Sequence, residues 1–278
     1  GIALQPGQYL AQDGLKPTTP KPADNYAYLA NVNNVLTLTL HNFNYEGMGY
    51  YSSESSKWYS IYADSVIKIV ADGENNLRNR IWMGNGGTIT CSNYKDKLTL
   101  SNGSITVGDG NLTIDDDIIL DITVTARENA IFMDYANDGD ESILTFSNGA
   151  TVNLTSADQC IFAGYVGDVV ISNAYITCNT KATHNAAALD IRNGNFTMKS
   201  GRASFRSVGG NGITVTKGTF TQNGGTLTAE GGDYGVYVVS TTAPVTFTPG
   251  ATKFGFTALL FLVYPLPEEI ATLLSSPL

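Results

Sequence analysis

A short signature, an apolar pair flanking a central residue that is usually Thr, returns nine times along the 278-residue chain. It reads Leu36-Thr37-Leu38, Ile67-Lys68-Ile69, Ile89-Thr90-Cys91, Leu112-Thr113-Ile114 and Leu144-Thr145-Phe146, then Val169-Val170-Ile171, Phe196-Thr197-Met198, Phe220-Thr221-Gln222 and Val245-Thr246-Phe247. Most copies begin about 25 residues after the one before; two longer intervals hold polar insertions, Tyr50–Lys57 and Tyr135–Glu141. A polar or Gly turn follows each copy, and then a second alternating stretch such as Thr151-Val152-Asn153-Leu154 or Ala203-Ser204-Phe205. A third stretch closes the unit, as in Ser60-Ile61-Tyr62-Ala63, Ala130-Ile131-Phe132-Met133 and Gly235-Val236-Tyr237-Val238.

Period-2 alternation means strands, and no segment of helical period lies between them, so a βαβ sheet is excluded. One coil of three short strands cannot bury its own inner face, but coils stacked at ~4.8 Å share a continuous core. The expected fold is therefore all-β: a parallel β-helix of about nine three-strand coils, right-handed by the general rule for parallel crossovers. A sandwich or propeller of antiparallel hairpins is the competing architecture. Hairpins reverse within two to five residues, whereas this repeat returns the same motifs in the same order. Only 15% of residues are charged and 29 are Gly, which also excludes a helical bundle or coiled coil. Residues 1–34 are expected to form an N-terminal segment and cap, 35–262 the β-helix, and 263–278 a C-terminal cap. A short helix is expected near Pro267–Leu274, with Pro at its start and two acids facing the positive end of its dipole.

Sixteen basic residues against 25 acidic ones give a net charge of −9. A phosphate-binding surface needs clustered Lys and Arg, so nucleic acid and anionic lipid are not expected partners. No apolar run approaches the ~20 residues of a membrane span; the longest, Ala258–Val263, stops before Pro265. Cys91, Cys160 and Cys178 lie in apolar strand-like runs without metal-ligand spacing, which predicts buried thiols, a Cys160–Cys178 disulfide being the lesser alternative. Low Lys with abundant Tyr, Asn and Thr suggests an exported, secreted or cell-surface chain.

The units Leu36-Thr-Leu-Thr-Leu-His-Asn-Phe-Asn-Tyr-Glu-Gly47, Ile67-Lys-Ile-Val-Ala-Asp-Gly73 and Gly218-Thr-Phe-Thr-Gln-Asn-Gly-Gly-Thr-Leu-Thr-Ala-Glu-Gly-Gly232 resemble the repeats of bacterial secreted β-solenoid proteins, often described as carbohydrate-binding-domain-containing surface proteins. The resemblance covers about Tyr26 to Leu262. It implies an extracytoplasmic, non-catalytic repeat protein with a carbohydrate-binding or adhesion role, and no cofactor. It carries no binding residue over to a numbered position.

The third stretch of each unit is the most informative about function. If Ile61, Ile131 and Val236 point inward, the next residue in each unit faces out. That outward column reads Tyr62, Trp82, Thr106, Phe132, Phe162, Asp190, Thr214, Tyr237, Leu260. Sugar rings present C–H faces that pack on aromatic rings, and Tyr62, Trp82 and Tyr237 also carry polar handles, which makes them the expected ligand-binding residues. Cover by an insertion or the N-terminal segment, or self-association, is the structural alternative, favoured by the Phe132 and Phe162 pair. Asn102, Asn148, Asn173, Ser200 and Asn223 at the first turns suggest a hydrogen-bonded ladder. The acidic clusters Asp115–Asp117 and Asp138–Glu141 read as solvated turns, since a Ca²⁺ site needs six to eight converging oxygens. Pectin lyases and polygalacturonases also use parallel β-helices, and Asp115–Asp117 would nominally supply carboxylates. The Gly-His-Gly turn and Arg-x-Lys strand of such enzymes are missing, Arg127 is the only base near the acids, and neither His41 nor His184 has a Ser or Cys nucleophile beside it in the sequence. Catalysis is accordingly not expected.

Overall fold

The computed structural model describes residues 2–13, 15–133, 142–164, 167–240, 246–247, 254–256 and 259–263, with side chains to residue 239. The expected C-terminal helix, the Tyr135–Glu141 insertion and the Asp138–Glu141 cluster lie outside the described residues. All described secondary structure is β, in sheets of 12, 10 and 9 strands. No helix among the described residues is long and apolar enough to cross a membrane.

Each coil visits the three sheets in turn. Ile67–Asp72 lies in the first, Glu74–Leu77 in the second and Arg80–Met83 in the third, before Gly87–Cys91 returns to the first. From Ile67 onward every described strand pairs in parallel with its counterpart one coil before, and all but the last in each sheet with one coil after. The architecture is a parallel β-helix. Alternation explains the core: Ile81, Ile105, Ile131, Ile161, Leu189, Ile213 and Val236 stack in register inside the third sheet, all fully buried. Phe196 and Phe220 stack inside the first sheet at 4.8 Å, with Phe205 of the second sheet edge-on to Phe196.

The first-sheet register departs from the sequence alignment once. Ile67 lies opposite Gly87, so Ile69 rather than Ile67 faces Ile89. A slip of two residues keeps every side chain on its face, so the hydrophobic pattern could not reveal it.

Antiparallel pairing does occur, at the N-terminal end. Tyr26–Val32 pairs with Val35–His41 through a two-residue turn in which Asn33 and Asn34 both have φ > 0 (52° and 66°), the conformation that right-twisted hairpins favour. Gln8–Ala11 and Pro17–Thr18 extend this sheet beyond the first coil. The insertion Tyr50–Lys57 makes a second hairpin, Tyr50–Ser52 against Lys57–Ala63, at the edge of the third sheet.

The turns use side chains differently from the expected ladder. Asn148 and Asn173 supply left-handed backbone (φ 48° and 57°), and the Asn173 carbonyl accepts from the Gly149 N–H. The Asn173 N–H donates to Ser200 Oγ at 2.9 Å, and Asn102 Oδ1 accepts from Thr125 Oγ1 at 2.6 Å. A side-chain ladder through successive coils runs at another corner, between the third and first sheets. There Asn195 Nδ2 donates to Asp168 at 3.0 Å, and Asn195 Oδ1 accepts from the Thr219 hydroxyl at 2.7 Å.

Candidate functional site

The outward column is continuous in the paired backbone. Tyr62 lies opposite Trp82, Trp82 opposite Thr106, then Phe132, Phe162, Asp190, Thr214, Tyr237 and Leu260 in unbroken register. Parallel pairing at ~4.8 Å spreads these residues along the rod. Tyr62 and Trp82 are therefore neighbours, while Tyr237 lies six strands from Trp82, roughly 29 Å at that spacing. Tyr237 stacks instead on Tyr234 at 5.6 Å. The three residues form two separate patches.

Around Tyr62 and Trp82 the structure assembles more than the alternation pattern shows. Arg80 pairs with Tyr59 but Ile81 pairs with Ile61, so Ser60 is an extra, bulged residue. A bulge of one residue returns the chain to the same face, so Tyr59 shares the face of Tyr62 but is buried there under the hairpin and the neighbouring rings. Tyr50 lies directly opposite Tyr59 in the hairpin and shares its face. The rings meet: Tyr62 and Trp82 are near-parallel at 6.1 Å (16°), Tyr50 is 4.7 Å from Tyr62, and Tyr59 is edge-on to both Tyr62 and Trp82. Asp64 sits at the same edge and accepts a hydrogen bond from Trp82 Nε1 at 3.2 Å. Burial, and then the Asp64 carboxylate, push the Tyr62 phenol up to about 12. Gly108 makes room for the indole, since a Cβ there would lie 2.8 Å from Trp82 Cζ2. Tyr50 remains 44% exposed, so the cluster is open to solvent on the hairpin side.

The cluster borders a cavity of about 690 Å³ at the N-terminal mouth of the rod. Its wall is the inner face of the first coils and of the N-terminal hairpin, including Leu29, Leu38, Leu40 and Phe43; its rim includes Tyr50, Tyr62 and Asp64. Tyr59, Tyr50 and Asp64 were not foreseen. Tyr59 is three residues from Tyr62, a spacing that strict alternation assigns to opposite faces.

Further along the column the aromatic faces are occupied. Phe132 and Phe162 stack at 5.3 Å, and the Arg192 guanidinium lies 4.8 Å from the Phe162 ring. Next to them Asp190 is buried, accepting from Gln159 Nε2 at 2.8 Å and Arg192 Nε at 3.3 Å. Burial holds its carboxyl above the usual range, against the opposing pull of Arg192. The folded state thus keeps its proton to a higher pH than the unfolded chain does, so stability falls as pH rises from the unfolded through the folded pKa. Asp190→Asn is expected to remove that fall; urea titrations between pH 3 and 8 would check it, and an unchanged pH slope would contradict it.

The remaining polar candidates have structural partners. Asp115 accepts from Ser147 Oγ at 2.6 Å and Asp116 from Thr90 Oγ1 at 3.0 Å, while Asp116 and Asp117 take left-handed turn conformations. His41 pairs with Asp72 at 2.7 Å and His184 with Asp158 at 3.2 Å. No group of three His, Cys, Asp or Glu side chains among the described residues could hold a metal ion. All three cysteines are free thiols; Cys160 and Cys178 are buried as expected, whereas Cys91 is only half-buried. Burial raises the Cys91 thiol to about 11, and burial followed by a hydrogen bond with Cys160 raises Cys178 well above its ordinary value, so neither is an activated nucleophile. Against protein-family models, curated proteins and solved structures alike, the chain has no match.

Proposed function

We propose that the chain is a non-catalytic, extracellular β-helix module of carbohydrate-binding or adhesion-like function, and that it docks sugar on Tyr50, Tyr62 and Trp82 beside Asp64, with the buried Tyr59 supporting those rings from beneath. The observation that carries this reading is the convergence of three solvent-reached aromatic rings, Tyr50, Tyr62 and Trp82, with one carboxylate over the buried Tyr59. Aromatic rings with polar handles offer both an apolar face and a hydrogen-bonding tip. Asp64 gives one oxygen to the indole and keeps further lone pairs for hydroxyl donors. The net charge of −9 disfavours polyuronates and favours neutral glycans.

Calorimetry of the full chain against a panel of neutral glycans tests this. Trp82→Ala with Tyr62→Ala is expected to weaken binding at least about tenfold, the equivalent of ~1.4 kcal/mol. Tyr237→Ala, in its separate patch, is expected to leave affinity unchanged. Equal affinity in the Tyr62 and Trp82 variant would remove the cluster from the account.

A second reading, a surface spacer or self-associating repeat without a small ligand, is favoured by the middle of the column. There Phe132, Phe162 and Arg192 satisfy one another. Glycan binding lost with the Tyr62 and Trp82 rings would decide between the two.

A further inference from the structure

We infer that the cavity at the N-terminal mouth receives the apolar tail of an amphiphile whose neutral sugar head lies on the adjoining aromatic cluster. This rests on the glycan reading and narrows it from sugars at large to glycosides with an alkyl or acyl tail.

Three features of the site lead there. The cavity and the cluster are continuous. The inward residues Ile61 and Ala63 and the outward residues Tyr62 and Asp64 all line the same space, which therefore wraps around one strand. The hairpin strand pairs with this strand only at Lys57–Tyr59. No strand among the described residues pairs with the outer edge of Ile61–Ala63, so no strand ladder separates the aliphatic interior from the aromatic exterior there, although Ile2–Leu4 and Gly49 also line the space. The walls are also of one kind. Leu36, Ile61 and Ala63 are half-buried on this wall, and Leu29, Leu38, Leu40 and Phe43 form its buried hydrocarbon backing, continuous with the core of the rod. A volume of about 690 Å³ is in the range of sites for drug-sized ligands. Charge then selects the head group. Asp64 is the one charged residue in the lining, and no Lys, Arg or His is among the described residues there. A carboxylate, sulfate or phosphate head would meet a like charge without a counter-ion, so a free fatty acid or phospholipid does not fit. A polyol head can donate hydroxyls to Asp64 and pack on Tyr62.

The test is calorimetry on the full chain with methyl, hexyl and octyl β-glucoside, each below its micelle concentration. Affinity is expected to rise about three- to fourfold per added methylene, the fold-change given by ~0.8 kcal/mol per buried CH₂. Leu36→Trp, which fills the cavity, is expected to abolish the chain-length dependence while methyl glucoside binding persists. Trp82→Ala is expected to weaken all three glucosides. Binding of all three with no dependence on tail length overturns this inference and leaves the glycan reading standing. Octyl tri(ethylene glycol) binding as tightly as octyl glucoside overturns the glycan reading instead, because the tail alone would then suffice. Octyl sulfate binding as tightly overturns the charge argument. Self-association, seen by sedimentation, that blocks octyl glucoside binding would assign the mouth to a second copy of the chain and overturn the proposal.

Discussion

Replacing Phe196 by Ala is expected to lower the stability of the β-helix by about 3–5 kcal/mol, the range for deleting a fully buried aromatic side chain. Phe196 is fully buried, stacks on Phe220 at 4.8 Å and meets Phe205 edge-on at 6.4 Å. Removing it takes a ring from the centre of a three-ring cluster spanning two sheets and two coils. The neighbours cannot collapse into the space, because each is held by its own strand ladder. Urea unfolding followed by far-ultraviolet circular dichroism would measure the loss. A change below about 1 kcal/mol would mean that the cluster is loosely packed. The Phe196→Leu variant should lose less, since most of the volume is kept.

The second large effect is steric rather than hydrophobic. Gly167, Gly194 and Gly218 stack at one corner of successive coils, where a Cβ on Gly194 would lie 2.2 Å from the Gly167 carbonyl oxygen and one on Gly218 would lie 1.7 Å from that of Gly194. Backbone oxygen cannot swing away as a side chain can. Gly218→Ala is therefore expected to destabilise by about 3 kcal/mol through forced separation of two coils. Gly7→Ala is the control: its added Cβ meets nothing, but φ is +87°, so only the backbone penalty of about 1 kcal/mol applies. Thermal unfolding of both variants would separate the mechanisms. Equal losses would refute the contact-based account of Gly218.

Which residues form the third sheet, and which of them face outward, was legible because the motif there is short and regular. An Ile, Leu or Val recurs at the same place in every unit, so parity alone orders Tyr62, Trp82 and Tyr237 into one column. Parity says nothing of distance along that column, and distance is what parts Tyr237 from the other two. The aromatic cluster itself was only half visible. Ser60 bulges, and nothing in its chemistry distinguishes it from a paired Ser, so Tyr59 reads as an inward residue. Tyr50 belongs to an insertion whose hairpin depends on cross-strand contacts with Lys57–Tyr59. The two-residue slip at Ile89 was invisible for a related reason: a shift that preserves parity preserves the hydrophobic pattern. The polar corner ladder was missed because Asp168, Asn195 and Thr219 are three different residue types, although together they satisfy one another across three coils.

Glu128 has a consequence for how such a rod comes apart. Its carboxylate takes a two-pronged grip on Arg80, at 2.6 to 2.9 Å, and also reaches Lys57 at 3.4 Å. Arg80 belongs to the second layer of the third sheet, Lys57 to the first, and Glu128 to the turn leading into the fourth. In a pile where each layer otherwise holds only its immediate neighbours, thermal fraying can proceed one rung at a time from an end. A strap that jumps a rung opposes this. The strap couples the opening of the first, second and fourth layers, so Glu128→Gln is expected to speed deuterium exchange of amides from Tyr59 to Met133, and unchanged exchange would show that the strap adds nothing to the coupling.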